Sequence, residues 1–190
     1  KLEASFSDPS VVLNPLSELE KHQDEYIYFR TGNSWTMRGA FYGAQVIFGE
    51  LGYDKENLDA YREYVFGNFK GNLLLEALGK YTTDEIKKGI ENMEEEPFYI
   101  YINGSNPNRE ELTFENKEGQ LQTLKRQTIQ FNGSGNYAVI GSGYKHSIVE
   151  GRGKGQRKGN LLLIADTRGK MMISYLSEIF EKVYVSNMYE

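Results

Sequence analysis

The clearest pattern of apolar and polar positions lies near the end of the chain. Leu161–Ile164 is a continuous apolar run, which is typical of a strand buried on both faces. After the turn at Ala165–Arg168, apolar residues recur at helical spacing over Lys170–Phe180, and a second apolar run follows at Val183–Val185. The pattern predicts a β-α-β unit with parallel strands, and it places a ligand site at the carboxyl end of the first strand, at Ala165–Arg168.

Weaker patterns predict the elements of the first half. Val11–Leu13 is a short apolar run that predicts a strand of the same sheet. Thr36 is a suitable N-cap for a helix over Met37–Leu51, with apolar residues on one face. Asn57–Phe66 is weakly helical, and the acidic run Glu91–Glu96 is typical of a solvated connector.

The sequence pattern changes at Phe98, where short apolar runs begin to alternate with Asn-Gly and similar turn sequences. We therefore predict an α/β protein of one domain over residues 1–190, with a β-rich, antiparallel insertion over residues 98–149. The expected core has three layers, with helices Met37–Leu51 and Lys170–Phe180 packed on a mostly parallel sheet.

Composition narrows the range of functions. The chain has 190 residues with 39% hydrophobic and 13% aromatic residues, enough for a substantial core. A net charge of −5 disfavours general nucleic-acid binding. No run approaches the length of a transmembrane segment. The chain has no Cys and two histidines, of which His22 is expected at the surface, so neither a metal site nor a cofactor is predicted.

Four stretches of this sequence, in order along the chain, resemble the DHHW family. The stretch Tyr26–Tyr42 resembles the block that gives the family its name, Y-x-R-T-D-H-H-W-T-x-x-G-A-Y-Y. Leu161–Val185 resembles the later block that contains G-D-S. Phe69–Leu74 and Asn136–Val139 are similar to the loop and the β segment between those two blocks.

This resemblance implies a fold and a setting. DHHW proteins are similar to alginate O-acetylation proteins, and they have an SGNH-hydrolase-like core with its blocks circularly permuted. They are extracytoplasmic bacterial proteins, many of them connected with the acetylation of exported polysaccharide. They also carry further N-terminal strands, so we expect this chain to be an N-terminally truncated fragment. The implied partners are a polysaccharide or membrane-bound acyl-transfer machinery.

The family's catalytic triad consists of the Asp and the second His of D-H-H-W and the Ser of G-D-S. In this chain these three positions hold Gly32, Ser34 and Thr167. Ala165 stands where the family has the glycine of G-D-S. A hydroxyl nucleophile needs a base within hydrogen-bond reach and a carboxylate that orients the base. Losing base and carboxylate together removes about 10⁴–10⁶ in rate, so we expect a catalytically inactive, glycan-binding or accessory protein.

Other residues carry the alternatives. A rearranged pair of Thr167 and His146 would give a residual acetyltransferase or esterase. The expected ligand-binding residues lie within the two stretches that resemble the family's blocks, and they are Arg30, Trp35, Asp166, Thr167 and Arg168. The positive charges of Arg168 and Lys170 suit an anionic ligand, or else mark an exposed charged turn. In either case we predict that Gly32–Trp35 and Ala165–Arg168 face each other across one cleft.

Overall fold

The computed structural model describes residues 13–54, 57–80, 83–103, 109–115, 121–127, 129–132, 136–139, 146–150 and 159–187. Helices α1 to α6 cover, in chain order, Leu16–Glu20, Met37–Glu50, Asn72–Lys80, Asp84–Glu91, Thr167–Lys170 and Ile173–Ile179. Strands β1 to β9 cover, in chain order, Tyr61–Phe69, Glu96–Asn103, Arg109–Glu115, Leu121–Gln127, Ile129–Asn132, Asn136–Val139, His146–Glu150, Asn160–Ala165 and Lys182–Asn187. Among the described helices, none combines the length and hydrophobicity that crossing a bilayer requires.

Helix α2 is the central helix of the fold, and the sequence predicts it well. Thr36 caps it, because its side chain accepts a hydrogen bond from the backbone N–H of Gly39 at 3.3 Å. Phe41 and Phe48 of α2 are almost fully buried. They belong to one core cluster with residues of α6 and β9, among them Tyr175, Leu176, Val183 and Val185.

Gly39 allows the chain before α2 to lie directly against the helix. A Cβ atom on Gly39 would lie 2.3 Å from the carbonyl oxygen of Ile27 and 2.8 Å from Cβ of Trp35. Neither neighbour is the free end of a flexible side chain, so a larger residue would push the two segments apart.

The main sheet is mostly antiparallel, and the prediction of a mostly parallel sheet is wrong. The order of its described strands is β4-β3-β7-β9-β8, and among these only β8 and β9 run parallel. The strands of the β-rich stretch join this sheet, because β7 pairs with β9 and β3 pairs with β7. Short turns suffice for antiparallel neighbours, so the hairpin-like sequences add to the sheet without crossover helices. Two further antiparallel pairs are β1-β2 and β5-β6.

Strand β8 confirms the predicted β-α-β unit but is not buried on both faces. It forms an edge of the described sheet, and its exposure alternates along the strand. Leu162 and Ile164 are 65% and 62% exposed, and Tyr184 of β9 is 37% exposed on the same face. The apolar run indicated burial on both faces, whereas α2 and α6 cover only one of them.

Other predictions are corrected locally. Residues Asn57–Phe66, read as weakly helical, contain one 3₁₀ turn followed by β1, because aromatic and β-branched residues pair with β2. The helix predicted over Lys170–Phe180 is split into α5 and α6 at Met171 and Met172. In Val11–Leu13, only Leu13 lies within the described residues, and it is not in a strand. The assignment of residues 98–149 as an insertion stays a prediction.

Glu25 connects the segment after α1 to α2. Its carboxylate pairs with Nδ1 of His22 at 2.6 Å and accepts hydrogen bonds from Arg38 and the Tyr42 hydroxyl, both at 2.8 Å. The His22 ring stacks on Tyr42 with 3.6 Å between ring centroids, so His22 is half-buried, not exposed as predicted. Burial raises the pKa of Glu25, but these hydrogen bonds outweigh it and hold that pKa below its ordinary value.

Arg38 extends this network to the β1-β2 pair. Its guanidinium donates to the Tyr101 hydroxyl at 3.1 Å and to Glu63 at 3.3 Å, and Tyr101 donates to Glu63 at 2.7 Å. Burial and the acceptor carboxylates raise the pKa values of Tyr42 and Tyr101. The network therefore fixes α2 against strands that are distant in sequence.

We predict that Gly39→Ala lowers the free energy of unfolding by about 1–3 kcal/mol, the usual cost of overpacking a close contact. Urea unfolding monitored by circular dichroism measures it. Gly89→Ala is the matched control, because Gly89 lies inside α4 with open space around it. That substitution should stabilise the protein by about 0.5–1 kcal/mol. Equal effects of the two substitutions would contradict the close-contact argument.

We also predict that stability is greatest between about pH 5 and pH 9. A carboxylate with a lowered folded-state pKa, such as Glu25, stabilises above about pH 4.3, and this contribution is lost as the pH falls through its folded pKa. A tyrosine with a raised pKa, such as Tyr42, stabilises below about pH 10, and its contribution is lost as the pH rises further. Urea midpoints across pH test this. Glu25→Gln should flatten the acid limb and Tyr42→Phe the alkaline limb; unchanged limbs would show that other groups dominate.

Candidate functional site

The chain between α1 and α2 forms a narrow loop that closes on itself. The backbone N–H of Phe29 donates to the carbonyl of Ser34 at 3.1 Å, and that of Thr36 donates to the carbonyl of Ile27 at 2.9 Å. A single β-bridge joins Tyr28 to Trp35. Residues 30–33 are therefore the tip of this loop, and we call residues 26–36 the DHHW loop.

Glu96, the first residue of β2, anchors the DHHW loop. Its Oε2 accepts hydrogen bonds from the Arg30 backbone N–H at 2.8 Å and from the Tyr26 hydroxyl at 2.5 Å. Its Oε1 accepts from the Thr31 backbone N–H at 2.8 Å and from the Thr31 hydroxyl. Burial raises the pKa of Glu96, but the four donors outweigh it, so that pKa is held below its ordinary value.

Thr31 connects the loop to the start of α3. The Thr31 hydroxyl oxygen accepts a hydrogen bond from the backbone N–H of Gly71 at 2.8 Å. The Thr31 carbonyl accepts one from the backbone N–H of Leu73 at 3.1 Å. A Cβ atom on Gly71 would lie 2.3 Å from the Thr31 carbonyl, so only glycine allows this approach. Nearby, Asn72 accepts a hydrogen bond from the backbone N–H of Asn33 at 3.3 Å.

The second segment of the predicted cleft, Ala165–Arg168, begins at the last residue of β8. Ala165 is buried, and Asp166 caps α5 by accepting a hydrogen bond from the backbone N–H of Gly169 at 2.9 Å. Thr167 is the exposed first residue of α5. The Arg168 guanidinium lies 3.6 Å from the Asp166 carboxylate, at the surface. This is a strand-to-helix turn at the carboxyl end of a parallel strand, the type of place where α/β proteins bind ligands.

The two segments are in contact. Nε1 of Trp35 donates to the carbonyl oxygen of Arg168 at 2.9 Å, and the Ser34 hydroxyl lies 3.5 Å from Sδ of Met171. The Trp35 ring also packs closely over Gly43. The structure therefore brings Gly32–Trp35 and Ala165–Arg168 together, and we call this junction the cleft; its role as a ligand site stays a prediction.

The side chains at the triad positions contain no acid or base. Gly32 has no side chain, Ser34 is 7% exposed against Met171, and Thr167 is an exposed hydroxyl. A Cβ atom on Gly32 would lie 3.2 Å from Cβ of Phe29, so an aspartate there requires a small shift of Phe29. The roles assigned to these residues stay predictions.

His146 can be placed only through its backbone. It pairs with Ser186 of β9, and Ile164 of β8 pairs with the same residue from the other side. His146 and Ile164 are therefore level across β9, with their backbones about 10 Å apart at the usual strand spacing. The His146 side chain lies outside what the structure describes, and the pair of Thr167 and His146 stays a prediction.

The charges of the site differ from the expected pattern. Lys170 is only 1% exposed, so it adds no charge to the surface, contrary to our prediction. Arg168 is exposed but lies beside the carboxylate of Asp166. Arg30 has its guanidinium over the Tyr26 ring, 5.5 Å from the centroid. It borders a different depression of about 550 Å³ near α1, which none of residues 165–168 line.

Glu96 is the residue that the sequence reading missed. The acidic run Glu91–Glu96 predicts a solvated connector, and Glu94 and Glu95 are indeed exposed, but Glu96 is 5% exposed. The signal in the sequence is its position, because Glu96 stands two residues before the apolar run that begins at Phe98. A pattern of charges alone does not reveal the donors that face one carboxylate.

Several solved structures share this fold. A DHHW family protein from Eubacterium siraeum aligns with a TM-score of 0.69 at 21% identity, over 92% of this chain and 55% of that one. Bacillus cereus PatB1 with a sulfonyl adduct aligns with a TM-score of 0.57 at 13% identity, over 92% of this chain and 56% of that one. A second structure of PatB1 gives a TM-score of 0.55 at 15% identity, over 88% of this chain and 55% of that one.

The chain thus spans little more than half the length of these structures. No curated protein of described function matches it. The model of the family described as DHHW protein matches residues 14–186, which is nearly the whole sequence. The chain belongs to the DHHW family.

Proposed function

We propose that this protein is a catalytically inactive member of its family, which binds glycan or serves as an accessory factor in the O-acetylation of bacterial cell-surface polysaccharide. The observation that carries the proposal is the contact between Gly32–Trp35 and Ala165–Arg168. The two segments that resemble the family's active-site blocks are in contact there, and Gly32 and Ser34 supply neither an acid nor a base, which supports the proposal. Extracytoplasmic location and contact with acyl-transfer machinery belong to the same proposal and rest on the family.

The full protein, in this proposal, has an SGNH-hydrolase-like core of three layers. The apolar residues Leu162, Ile164 and Tyr184 support a second helical layer, because a parallel strand pair normally has both faces covered. The greater length of the solved relatives leaves room for such a layer.

A residual acyl-transfer enzyme is the second candidate. The register that sets His146 level with Ile164 supports it, because this places the backbone of a potential base at the same sheet end as Thr167. In such an enzyme, His146 would accept the proton of the Thr167 hydroxyl while the Thr167 oxygen attacks an acyl carbonyl carbon. The ester C–O bond would then break, and His146 would pass the proton to the leaving alcohol.

Binding is supported by the side chains that remain. Trp35 offers a half-buried aromatic surface beside Arg168, and aromatic faces pack against the apolar faces of sugar rings. The Asp166 carboxylate reduces the positive charge of Arg168, which favours a ligand with both hydroxyl and acidic groups over a purely anionic one.

We predict that the unmodified protein hydrolyses p-nitrophenyl acetate no faster than Thr167→Ala, and that a sulfonyl fluoride leaves no adduct on Thr167 by mass spectrometry. Without a base, the threonine hydroxyl stays protonated and weakly nucleophilic. Activity or labelling that disappears in Thr167→Ala would contradict the inactive reading. His146→Gln would then test the second candidate.

Restoring the triad should require several substitutions at once. We predict that Gly32→Asp, Ser34→His and Thr167→Ser together raise ester hydrolysis at least about 100-fold, while each alone does not, because triad members act as a unit. Circular dichroism must confirm that the variant is folded, since both Gly32 and Ser34 have close neighbours. A folded, inactive triple variant would show that the cleft geometry no longer supports the reaction.

We predict that acidic oligosaccharides, such as oligogalacturonate, change the fluorescence of Trp35, which is the only tryptophan of the chain. Calorimetry should show that Arg168→Gln weakens binding about 10-fold, the effect of losing one charge-assisted hydrogen bond. Arg62→Gln is the matched control, since Arg62 is an exposed arginine of β1. Equal loss in both variants would indicate nonspecific attraction, and no binding of acidic or neutral oligosaccharides would contradict the glycan proposal.

A further inference from the structure

Glu96 is a buried carboxylate whose described hydrogen bonds all lead to the DHHW loop. The donors are two backbone N–H groups, of Arg30 and Thr31, and two hydroxyls, of Tyr26 and Thr31. Removing a carboxylate from water is costly unless hydrogen bonds replace its hydration. Here the loop provides those bonds, and in return the carboxylate fixes the backbone at the loop tip.

The same network reaches α3 through Thr31. The Thr31 hydroxyl donates to Glu96 and accepts from the backbone N–H of Gly71, so one side chain joins β2, the loop and the start of α3. Gly71 fits only because it lacks a Cβ atom. The loop tip is therefore held from two sides, by β2 and by the start of α3.

The cleft begins three residues after Thr31. Ser34 contacts Met171, and Trp35 donates to the carbonyl of Arg168. Between Thr31 and Trp35 the chain is short, and the hydrogen bond from the Phe29 N–H to the Ser34 carbonyl closes it, so the position of the tip sets the position of Trp35. A shift at Glu96 would be transmitted to the Trp35–Arg168 contact through the backbone.

We propose that Glu96 is a positioning residue of the cleft: its carboxylate fixes Arg30 and Thr31 and thereby holds Ser34 and Trp35 against the α5 turn. The effect of Glu96 on ligand binding rests on the proposed function, but the effect of Glu96 on the position of Trp35 does not. A glutamine side chain at this position would have one oxygen, which accepts, and one NH₂ group, which only donates. The NH₂ group would face the backbone N–H of either Arg30 or Thr31, and two donors cannot form a hydrogen bond with each other. The negative form of Glu96 is therefore part of the arrangement.

The test uses Trp35 as a local reporter in the full chain without ligand. We predict that Glu96→Gln increases acrylamide quenching of Trp35 fluorescence at least about two-fold at pH 7, under conditions where circular dichroism is unchanged, because the loop opens locally. Tyr61→Phe is the control for a general loss of stability. It removes a 2.7 Å hydrogen bond to Glu178 that does not involve the loop, and its Trp35 quenching should equal that of the unmodified protein.

A second pair of variants keeps the test informative if Glu96→Gln does not fold. Thr31→Val removes the hydroxyl that links Glu96 to Gly71, whereas Thr31→Ser retains it. We expect increased Trp35 quenching in Thr31→Val and near-normal quenching in Thr31→Ser. Unchanged quenching in folded Glu96→Gln or Thr31→Val, accompanied only by a lower urea midpoint, would overturn the positioning role. Failure of glycan binding alone would contradict only the proposed function.

Discussion

The arrangement of the cleft depends on one buried carboxylate and the donors that surround it. Glu96 is 5% exposed, and its two oxygens accept four hydrogen bonds from three residues of the DHHW loop. The tip of the loop, residues 30–33, contains no apolar side chain larger than a methyl group, so an unsatisfied carboxylate beneath it would favour a different conformation. The polar network and the glycine contacts at Gly39 and Gly71 act together, because both require the loop backbone to lie close to its neighbours.

The two parts of the cleft differ in what determines them. The α5 turn is local, since Ala165 ends a strand, Asp166 caps a helix and the exposed residues follow. The DHHW loop depends instead on β2 and α3, which are distant in sequence. A substitution far from the cleft can therefore change its shape, whereas the turn is fixed by a few consecutive residues.

The sequence predicted local features better than long-range ones. The Thr36 cap, the α2 helix, the β-α-β unit and the meeting of two distant segments follow from patterns within short windows and from the family blocks. The sheet order, the exposed face of β8 and the strand β1 depend on partners that no local pattern reveals. The role of Glu96 is hidden for the same reason, because the three neighbouring glutamates, Glu91, Glu94 and Glu95, share its charge but not its surroundings.

The sequence separation across the cleft has a consequence for the order of assembly. The Trp35–Arg168 hydrogen bond joins residues 133 positions apart, and the Thr31–Glu96 bond joins residues 65 positions apart. During synthesis from the N-terminus, Glu96 becomes available to the loop tip before the turn that completes the cleft. The Glu96 contact can therefore form before the Trp35–Arg168 contact, because Glu96 and Arg168 are 72 residues apart (168 − 96) along the chain.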